Sequence, residues 1–225
     1  MSVKDLFAQK LKHITSKLNS TQLLIVSKTR SVEEIQCYYD LGHRDFGENR
    51  VQELQEKSQI LEKSCPDIRW HMIGQLQSNK VVSLLEVPHL YAIHSVGSRS
   101  LLEKLLKNEH RLKNPLQIFL QFNTSGEEEK SGLETYLEVL ECARLFPVSS
   151  HFKFAGLMTM GTLRTVNFQA EALRCFQELN RLKNQLQGEL GIHLKTSMGM
   201  SQDYLIAIQE HSDWIRLGTM MFTES

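Results

Sequence analysis

The feature that most constrains the fold of this chain is its regular alternation of short apolar segments with helical patterns. Within the 225 residues we predict eight strands, at 22–27, 44–48, 68–73, 90–95, 116–122, 152–158, 193–198 and 214–218. Strands that alternate with helices favour a parallel sheet of the α/β class, and eight of them predict a closed (β/α)₈ barrel. An open doubly wound sheet is the alternative, but it usually carries a glycine-rich phosphate loop. The sequence contains neither G-x-G-x-x-G nor G-x-x-x-x-G-K-[ST].

Start and stop signals mark several of the predicted helices. Ser31 begins a capping box, S-V-E-E, and Gly42 follows that helix where its end is expected. Ser78, Ser98 and Ser201 each stand at a position typical of an N-cap.

The first predicted helix, about 3–18, precedes the first strand, and the chain ends seven residues after the last predicted strand. We therefore expect the leading helix to take the place of the eighth outer helix of the barrel. There is no composition shift, linker or low-complexity stretch. The prediction is a single domain over residues 1–225.

Composition and charge exclude several classes of function. Lys plus Arg and Asp plus Glu are both 26, so no net field attracts nucleic acid or an anionic membrane. The apolar runs are far too short to span a bilayer, and the N-terminus has no signal-peptide core. Four separated cysteines without C-x-x-C and nine scattered histidines predict neither a disulfide framework nor a metal site. We expect a cytoplasmic protein without a metal.

Lys28 follows the apolar run L-I-V at the end of the first predicted strand, where a core strand would deliver an amine. One interpretation is that the strand has simply reached solvent. The other is chemical, because a partly desolvated amine becomes a nucleophile for carbonyl groups.

Active sites of (β/α)₈ barrels form at the carboxyl ends of the strands, and phosphate often binds in the loops after strands seven and eight. Gly199 and Ser201 follow the seventh predicted strand, while Gly218 and Thr219 follow the eighth. Two glycines would allow close approach of the backbone, and two hydroxyls would add donors. Each residue also has a structural explanation, since Ser201 would cap a helix and Gly218 would turn the chain. Their joint position favours an anion site.

A lysine opposite a phosphate site predicts an aldehyde that carries a phosphate, and pyridoxal 5′-phosphate (PLP) fits that description. Arg216 in the eighth strand adds to this interpretation. Most PLP enzymes place a carboxylate on the pyridine nitrogen, whereas an arginine has only donors and leaves the ring neutral. Such a ring would withdraw electrons weakly.

Seven motifs give the sequence a specific resemblance, and they occur in order from residue 24 almost to the C-terminus. They are L-I-V-S-K-T (24–29), F-G-E-N-R-V-Q-E (46–53), W-H-M-I-G-Q-L-Q-S-N-K (70–80), K-S-G (130–132), G-L-M-T (156–159), S-M-G-M-S (197–201) and R-L-G-T (216–219). With these motifs the chain resembles the YggS/PROSC family of pyridoxal-phosphate homeostasis proteins. The resemblance implies a single TIM barrel similar to the N-terminal domain of alanine racemase.

The resemblance also implies roles for individual residues. Lys28 matches the lysine that forms the Schiff base with PLP, Arg216 matches the residue facing the pyridine nitrogen, and Asn49 matches a pocket residue. The phosphate-binding positions are matched by Ser201, Gly218 and Thr219. Two departures from the family pattern are visible, since Met160-Gly161 replaces the usual Ile-Pro and an uncommon Lys195-Thr196 precedes S-M-G-M-S. Because of the first departure, the resemblance implies no role for the loop after Thr159.

Three functions compete for this set of residues. The first is a PLP carrier that buffers the cofactor and supplies it to apoenzymes, with no catalytic residue. The second is a PLP-dependent racemase-type enzyme, and the third, a Schiff-base aldolase, gives Arg216 no role. A racemase needs a second base; the barrel is expected to use the whole chain, and His71 within a strand is more typical of a packed histidine. We favour the carrier, as a monomer or weak homodimer, with Met220, Met221 and Phe222 at an interface or at the edge of the core.

Overall fold

The structure, a computed structural model, describes residues 2–126, 131–161 and 166–223. Eight parallel strands close into a barrel in chain order, with β1 paired to β8. The strands are β1 Gln22–Val26, β2 Asp45–Glu48, β3 Arg69–Met72, β4 Leu90–Val96, β5 Leu116–Gln121, β6 Phe152–Met158, β7 Lys195–Ser197 and β8 Trp214–Leu217. The predicted (β/α)₈ barrel is confirmed, and every predicted strand coincides with an observed one to within about two residues at each end.

The helices lie between the strands on the outside of the barrel. They are α1 Val3–Thr15, α2 Val32–Asp40, α3 Val51–Leu61, α4 Val81–Leu85, α5 Arg99–Lys107, α6 Tyr136–Arg144, α7 Phe168–Leu190, α8 Tyr204–Gln209 and α9 Thr219–Phe222. Two short 3₁₀ helices, Ser78–Lys80 and Glu109–Arg111, precede α4 and β5. Helix α1 ends at Thr15, three residues before the predicted boundary at 18.

Two of the predicted helix starts are confirmed and two are wrong. Ser31 accepts a hydrogen bond from the backbone of Glu34 in a full capping box, and Ser98 caps α5. Ser78 is instead the first residue of a 3₁₀ helix. Ser201 lies in a turn, because α8 begins only at Tyr204 and Asp203 occupies the N-cap position. The Asp203 carboxylate accepts from the amide of Met200 and so holds that turn.

Helix α1 fills the position of the eighth outer helix, as the sequence predicts. Phe7 stacks on Tyr38 of α2 with 4.5 Å between ring centroids, and Phe222 of α9 meets both rings edge-on. The Nζ of Lys10 donates to the carbonyl oxygen of Met220 at 2.8 Å. Because Phe222 is almost fully buried in this aromatic cluster, it belongs to the edge of the core. Met221 is buried with it, and Met220 packs partly buried against the same core.

The apolar core has two layers. A large outer cluster lies between the strands and the helices and includes Phe46, Trp70 and Phe176, all fully buried. A small inner cluster fills the barrel and contains Leu24, Ala92, Phe119, Met158 and Trp214. Interior side chains of such barrels form packed layers and leave no pore. The space for a ligand therefore lies above the inner cluster, at the carboxyl ends of the strands.

Among the helices of the described segments, none combines the length and the apolar character needed to cross a membrane. Within the same segments, no group of three or more His, Cys, Asp or Glu side chains is arranged to hold a metal ion.

Candidate functional site

A cavity of about 480 Å³ opens at the carboxyl ends of the strands. All six residues predicted from the sequence line it: Lys28, Asn49, Ser201, Arg216, Gly218 and Thr219. They come from the loops after β1, β2 and β7, from β8 itself and from the loop after β8. The closed barrel brings these elements to one end because all of its strands are parallel.

Lys28 lies at the mouth of the cavity, separated from the end of β1 by Ser27. Its side chain is exposed, so the simpler interpretation of this lysine, that the strand reaches solvent, is partly correct. Within the described residues Lys28 donates no hydrogen bond and forms no ion pair. The site therefore contains an amine that is accessible and has no described partner.

Arg216 forms the charged part of the cavity wall. It is only 4% exposed, and its guanidinium donates to Ser197 Oγ at 2.8 Å and to the carbonyl oxygen of Thr159 at 2.9 Å. Burial lowers the pKa of Arg216 to about 10, which leaves it positively charged at neutral pH. Two fixed acceptors hold the guanidinium in place, and a guanidinium presents only donors to a ligand.

A chain of buried hydrogen bonds lies behind Arg216. Ser197 Oγ is 2.8 Å from His94 Nδ1, His94 Nε2 is 3.0 Å from His71 Nδ1, and His71 Nε2 is 3.0 Å from Asp45 Oδ1. Burial lowers the pKa of both histidines, so they are neutral. His71 is thus a packed histidine within the barrel, as its position in a strand predicts.

Asp45 sets the direction of these hydrogen bonds, because an ionised carboxylate can only accept them. Although burial opposes it, hydrogen bonds from His71 and Arg69 lower the pKa of Asp45, which is therefore ionised. His71 must then donate to Asp45, His94 to His71, and Ser197 to His94, since a neutral imidazole has one donor and one acceptor. The remaining lone pairs of Ser197 are available to Arg216, and the chain fixes the orientation of its guanidinium.

The loops after β7 and β8 carry two hydroxyls into the cavity wall. Ser201 and Thr219 are exposed, and neither side-chain hydroxyl is hydrogen-bonded to a described residue. A second cavity, of about 640 Å³, lies against α1 on their other side and shares both residues. These hydroxyls can therefore donate to an anion.

Gly199 shapes the loop after β7, and Gly218 lies in a less crowded position after β8. Gly199 has φ +96°, and a Cβ there would lie 2.5 Å from the Cβ of Ala207, so a side chain is excluded. A Cβ on Gly218 would meet the Cβ of Val26 at 3.4 Å, an ordinary contact. Packing inside the protein therefore requires glycine at position 199 but not at position 218, and the close approach of both backbones to an anion stays a prediction.

Asn49 is held beside the cavity by a close approach of two loops. A Cβ on Gly74 would lie 2.2 Å from the carbonyl oxygen of Asn49, so the backbones after β2 and β3 touch at this point. Asn49 is partly buried as a result.

Comparisons with known proteins identify relatives of this chain. A family profile described as "Alanine racemase, N-terminal domain" matches residues 4–225. The "Pyridoxal phosphate homeostasis protein" of Schizosaccharomyces pombe is 38% identical over 200 residues, which cover 89% of this chain and 82% of the relative. The structure of PipY from Synechococcus elongatus PCC7942 with PLP bound is 32% identical and has a TM-score of 0.85. That match covers 96% of this chain and 100% of PipY.

The chain belongs to the pyridoxal phosphate homeostasis proteins of the alanine racemase N-terminal domain family. The family predicted from the seven motifs is confirmed. Alanine racemase from E. faecalis shares the fold, with a TM-score of 0.73 at 16% identity, and the match covers 58% of that longer chain.

Several residues of this family member line the cavity without having been predicted. They are Val26, Ile73, Gln75, Gln121, Ser131, Met160 and Met200. Gln121 donates to the carbonyl oxygen of Ser131 at 2.6 Å, and Gln75 donates to its hydroxyl at 3.1 Å. Ser131 belongs to the K-S-G motif, and that motif could have identified it as a residue of the site. Lys130 of the same motif lies outside the described residues. Ser197, which holds Arg216, could likewise have been found as the first residue of S-M-G-M-S.

The departure from the family pattern after Thr159 touches the cavity at one residue. Met160 lines the wall, and the next residue, Gly161, packs near Asp203. Residues 162–165 of this loop lie outside the described segments. The second departure, Lys195-Thr196, lies in β7 below the cavity.

Proposed function

We propose that this protein binds PLP, holds it as a Schiff base on Lys28, and buffers it for supply to apoenzymes. The observation that carries the proposal is one cavity containing an accessible amine, a fixed guanidinium and two available hydroxyls. The names of the relatives and the PLP-bound structure of PipY support it.

The set of donors fits the chemical groups of PLP. The amine of Lys28 suits the aldehyde, the guanidinium of Arg216 suits a pyridine nitrogen that carries a lone pair, and the hydroxyls of Ser201 and Thr219 suit the phosphate. Bound PLP supplies an aldehyde that condenses with amines.

Lys28 performs the covalent step of the proposal. Its Nζ gives up a proton, adds its lone pair to the aldehyde carbon, and forms a C=N bond as the aldehyde oxygen leaves as water. Because Lys28 is exposed at the cavity mouth, water or an incoming amine has access for the reverse reaction. The same exposure that permits loading therefore permits release.

The cavity supports a carrier better than the racemase-type alternative. Lys28 and Arg216 are the two titratable side chains among the described residues that line it. Arg216 has no lone pair with which to take a proton, so a racemase would lack the base for the second face of its substrate. A donor at the pyridine nitrogen also keeps that nitrogen unprotonated, which weakens the ring as an electron sink.

We expect PLP-loaded protein to activate an apo-form of a PLP enzyme but to turn over no amino acid at an ordinary rate. A missing general base typically lowers a rate by about 10²–10⁴-fold. Relative to typical turnover numbers of about 1 s⁻¹ or more, racemisation of either alanine enantiomer should stay below about 10⁻² s⁻¹. Chiral chromatography measures the turnover, and the recovered activity of the apoenzyme measures the transfer.

The control for transfer is PLP-loaded protein in which borohydride has fixed the cofactor. This protein should not activate the apoenzyme, because a reduced C–N bond does not hydrolyse. Sustained turnover of about 1 s⁻¹ or faster would contradict the carrier and favour the racemase, while failure to activate the apoenzyme would contradict the supply role.

Replacing Ser201 or Thr219 by Ala should weaken PLP binding about tenfold, because a hydrogen bond to a charged group contributes about 1.5–3 kcal/mol. Both side chains are exposed without a described partner, so the free energy of unfolding should change by less than about 0.5 kcal/mol. The measurements are PLP titration and thermal unfolding of the unloaded protein.

The matched control is Ser20→Ala, which removes an exposed hydroxyl outside the cavity and should change neither quantity. If Ser201→Ala or Thr219→Ala lowered the melting temperature by several degrees and left PLP affinity unchanged, the two hydroxyls would have a structural role and no phosphate role.

A further inference from the structure

A second lysine, Lys57, is buried and contacts the residue that precedes Lys28. Lys57 of α3 is 7% exposed, and its Nζ donates to the carbonyl oxygen of Ser27 at 2.7 Å, to Glu48 Oε1 at 2.8 Å and to Glu53 Oε1 at 2.7 Å. An ammonium group has three donors, and here all three are used. Lys57 is therefore a fixed cation, in contrast to the unpartnered amine of Lys28.

The contacts of Lys57 reach the residues on both sides of Lys28. Lys57 holds the carbonyl of Ser27 directly, while Glu53, which Lys57 holds, accepts from the amide of Thr29 at 2.6 Å. The hydroxyl of Ser27 also donates to Glu48 Oε1 at 2.8 Å. We call Ser27, Glu48, Glu53 and Lys57, with the amide of Thr29, the Lys57 cluster.

Thr29 has a backbone conformation that needs such support. Its φ is +62°, in the left-handed region, where a β-branched residue is a rare outlier. Strained backbone of this kind persists only where surrounding contacts determine it, and it concentrates at functional sites. The hydrogen bond that the Thr29 amide donates to Glu53 is such a contact, and it lies at the residue immediately after Lys28.

The stability of the fold alone gives little reason for this cluster. Glu48 is fully buried, burial raises its pKa, and its Oε2 has no hydrogen-bond partner among the described residues. Buried ion pairs can often be replaced by apolar residues without loss of stability. The Lys57–Glu48 pair is buried and incompletely satisfied in its hydrogen bonds, and through Ser27 and Glu53 its cluster contacts both neighbours of Lys28. This combination indicates a role in the site.

We propose that Lys57 is a positioning residue for Lys28, which fixes the peptide groups on both sides of it and so holds the Lys28 amine at the cavity. The inference rests on the proposed attachment of PLP to Lys28. Lys57 forms no bond to the cofactor, because its three donors are used within the protein. Lys28 alone adds to the aldehyde, and the aldehyde oxygen leaves as water.

The test compares PLP with pyridoxine 5′-phosphate, which keeps the ring and phosphate but has an alcohol where PLP has the aldehyde. Lys57→Met should slow formation of the visible-absorbing Schiff base about tenfold to a hundredfold, as misplacement of a reacting group by about 1 Å does. Binding of pyridoxine 5′-phosphate should change less than about twofold. The control Lys63→Met, which removes an exposed lysine just after α3, should change neither.

A second variant covers the case in which Lys57→Met does not fold. Glu53→Ala keeps the Lys57–Glu48 pair and the contact of Lys57 with Ser27, and it removes the acceptor of the Thr29 amide together with one of the three acceptors of Lys57. It should show the same pattern, with slower Schiff base formation and unchanged binding of pyridoxine 5′-phosphate.

Equal loss of both ligands would assign the cluster a purely structural role and overturn the inference. Wild-type rates of Schiff base formation in both variants would also overturn it, while leaving the proposed function intact. Absence of a Schiff base on Lys28 in the wild-type protein would overturn both, so the two failures are distinguishable.

Discussion

Replacing Lys28 by Ala is expected to abolish covalent retention of PLP while leaving the fold intact. Only the contacts of Arg216 and the two hydroxyls would then hold the cofactor, and we expect affinity to fall about a hundredfold or more, equal to roughly 2.7 kcal/mol. Lys28 is exposed and has no described partner, so the free energy of unfolding of the unloaded protein should change by less than about 0.5 kcal/mol. Desalting followed by absorbance of the retained cofactor measures the loss.

The matched control for this variant is Lys63→Ala, which removes another exposed lysine but does not touch the cavity. It should retain PLP as the wild-type protein does. If Lys28→Ala kept its visible absorbance after desalting, a different lysine would carry the cofactor.

Replacing Gly156 by Ala is expected to destabilise the barrel strongly, because the added methyl group has no space between two paired strands. A Cβ at Gly156 of β6 would lie 1.9 Å from the carbonyl oxygen of Lys195, the residue with which it pairs in β7. The strands would have to separate, at a cost of about 3 kcal/mol or more, which corresponds to a fall in melting temperature of roughly 6–12 °C. Because β7 ends at Ser197, the contact that holds Arg216 should weaken as well.

Gly188→Ala provides the matched control. Gly188 is an exposed residue of α7, and a Cβ there would meet no atom within 4 Å. Since alanine favours a helix over glycine, this variant should gain about 0.5–1 kcal/mol. Thermal unfolding of the two unloaded proteins tests the pair, and equal melting temperatures would contradict the strand packing described for Gly156.

The barrel could be predicted because its signals are local. Alternation of apolar segments with capped helices repeats along the chain, and the rule that parallel strands end at one face then places Lys28, Arg216 and Thr219 together. Boundaries were less accurate where neighbouring signals compete. The hydroxyl of Ser201 suits an N-cap, but Asp203, two residues later, occupies the N-cap position of α8.

The supporting contacts of the site could not be predicted in the same way. His94 and Ser197 are 103 residues apart in sequence, and their hydrogen bond depends on the closure of the barrel. Lys57 lies in V-Q-E-L-Q-E-K, a stretch whose charges are typical of a solvated helix face. Its burial follows from the packing of α3 against the ends of β1 and β2, where Ser27 and Glu48 accept its hydrogen bonds.

The measurement that tests the central claim most directly is borohydride reduction of the PLP-loaded wild-type protein, followed by peptide mapping with mass spectrometry. The predicted result is one phosphopyridoxyl group per chain, located on Lys28, with Lys57 unmodified because its three donors are engaged. A reduced adduct on Lys57 or any other lysine, or no adduct at all, would contradict the assignment of Lys28 as the residue that holds PLP.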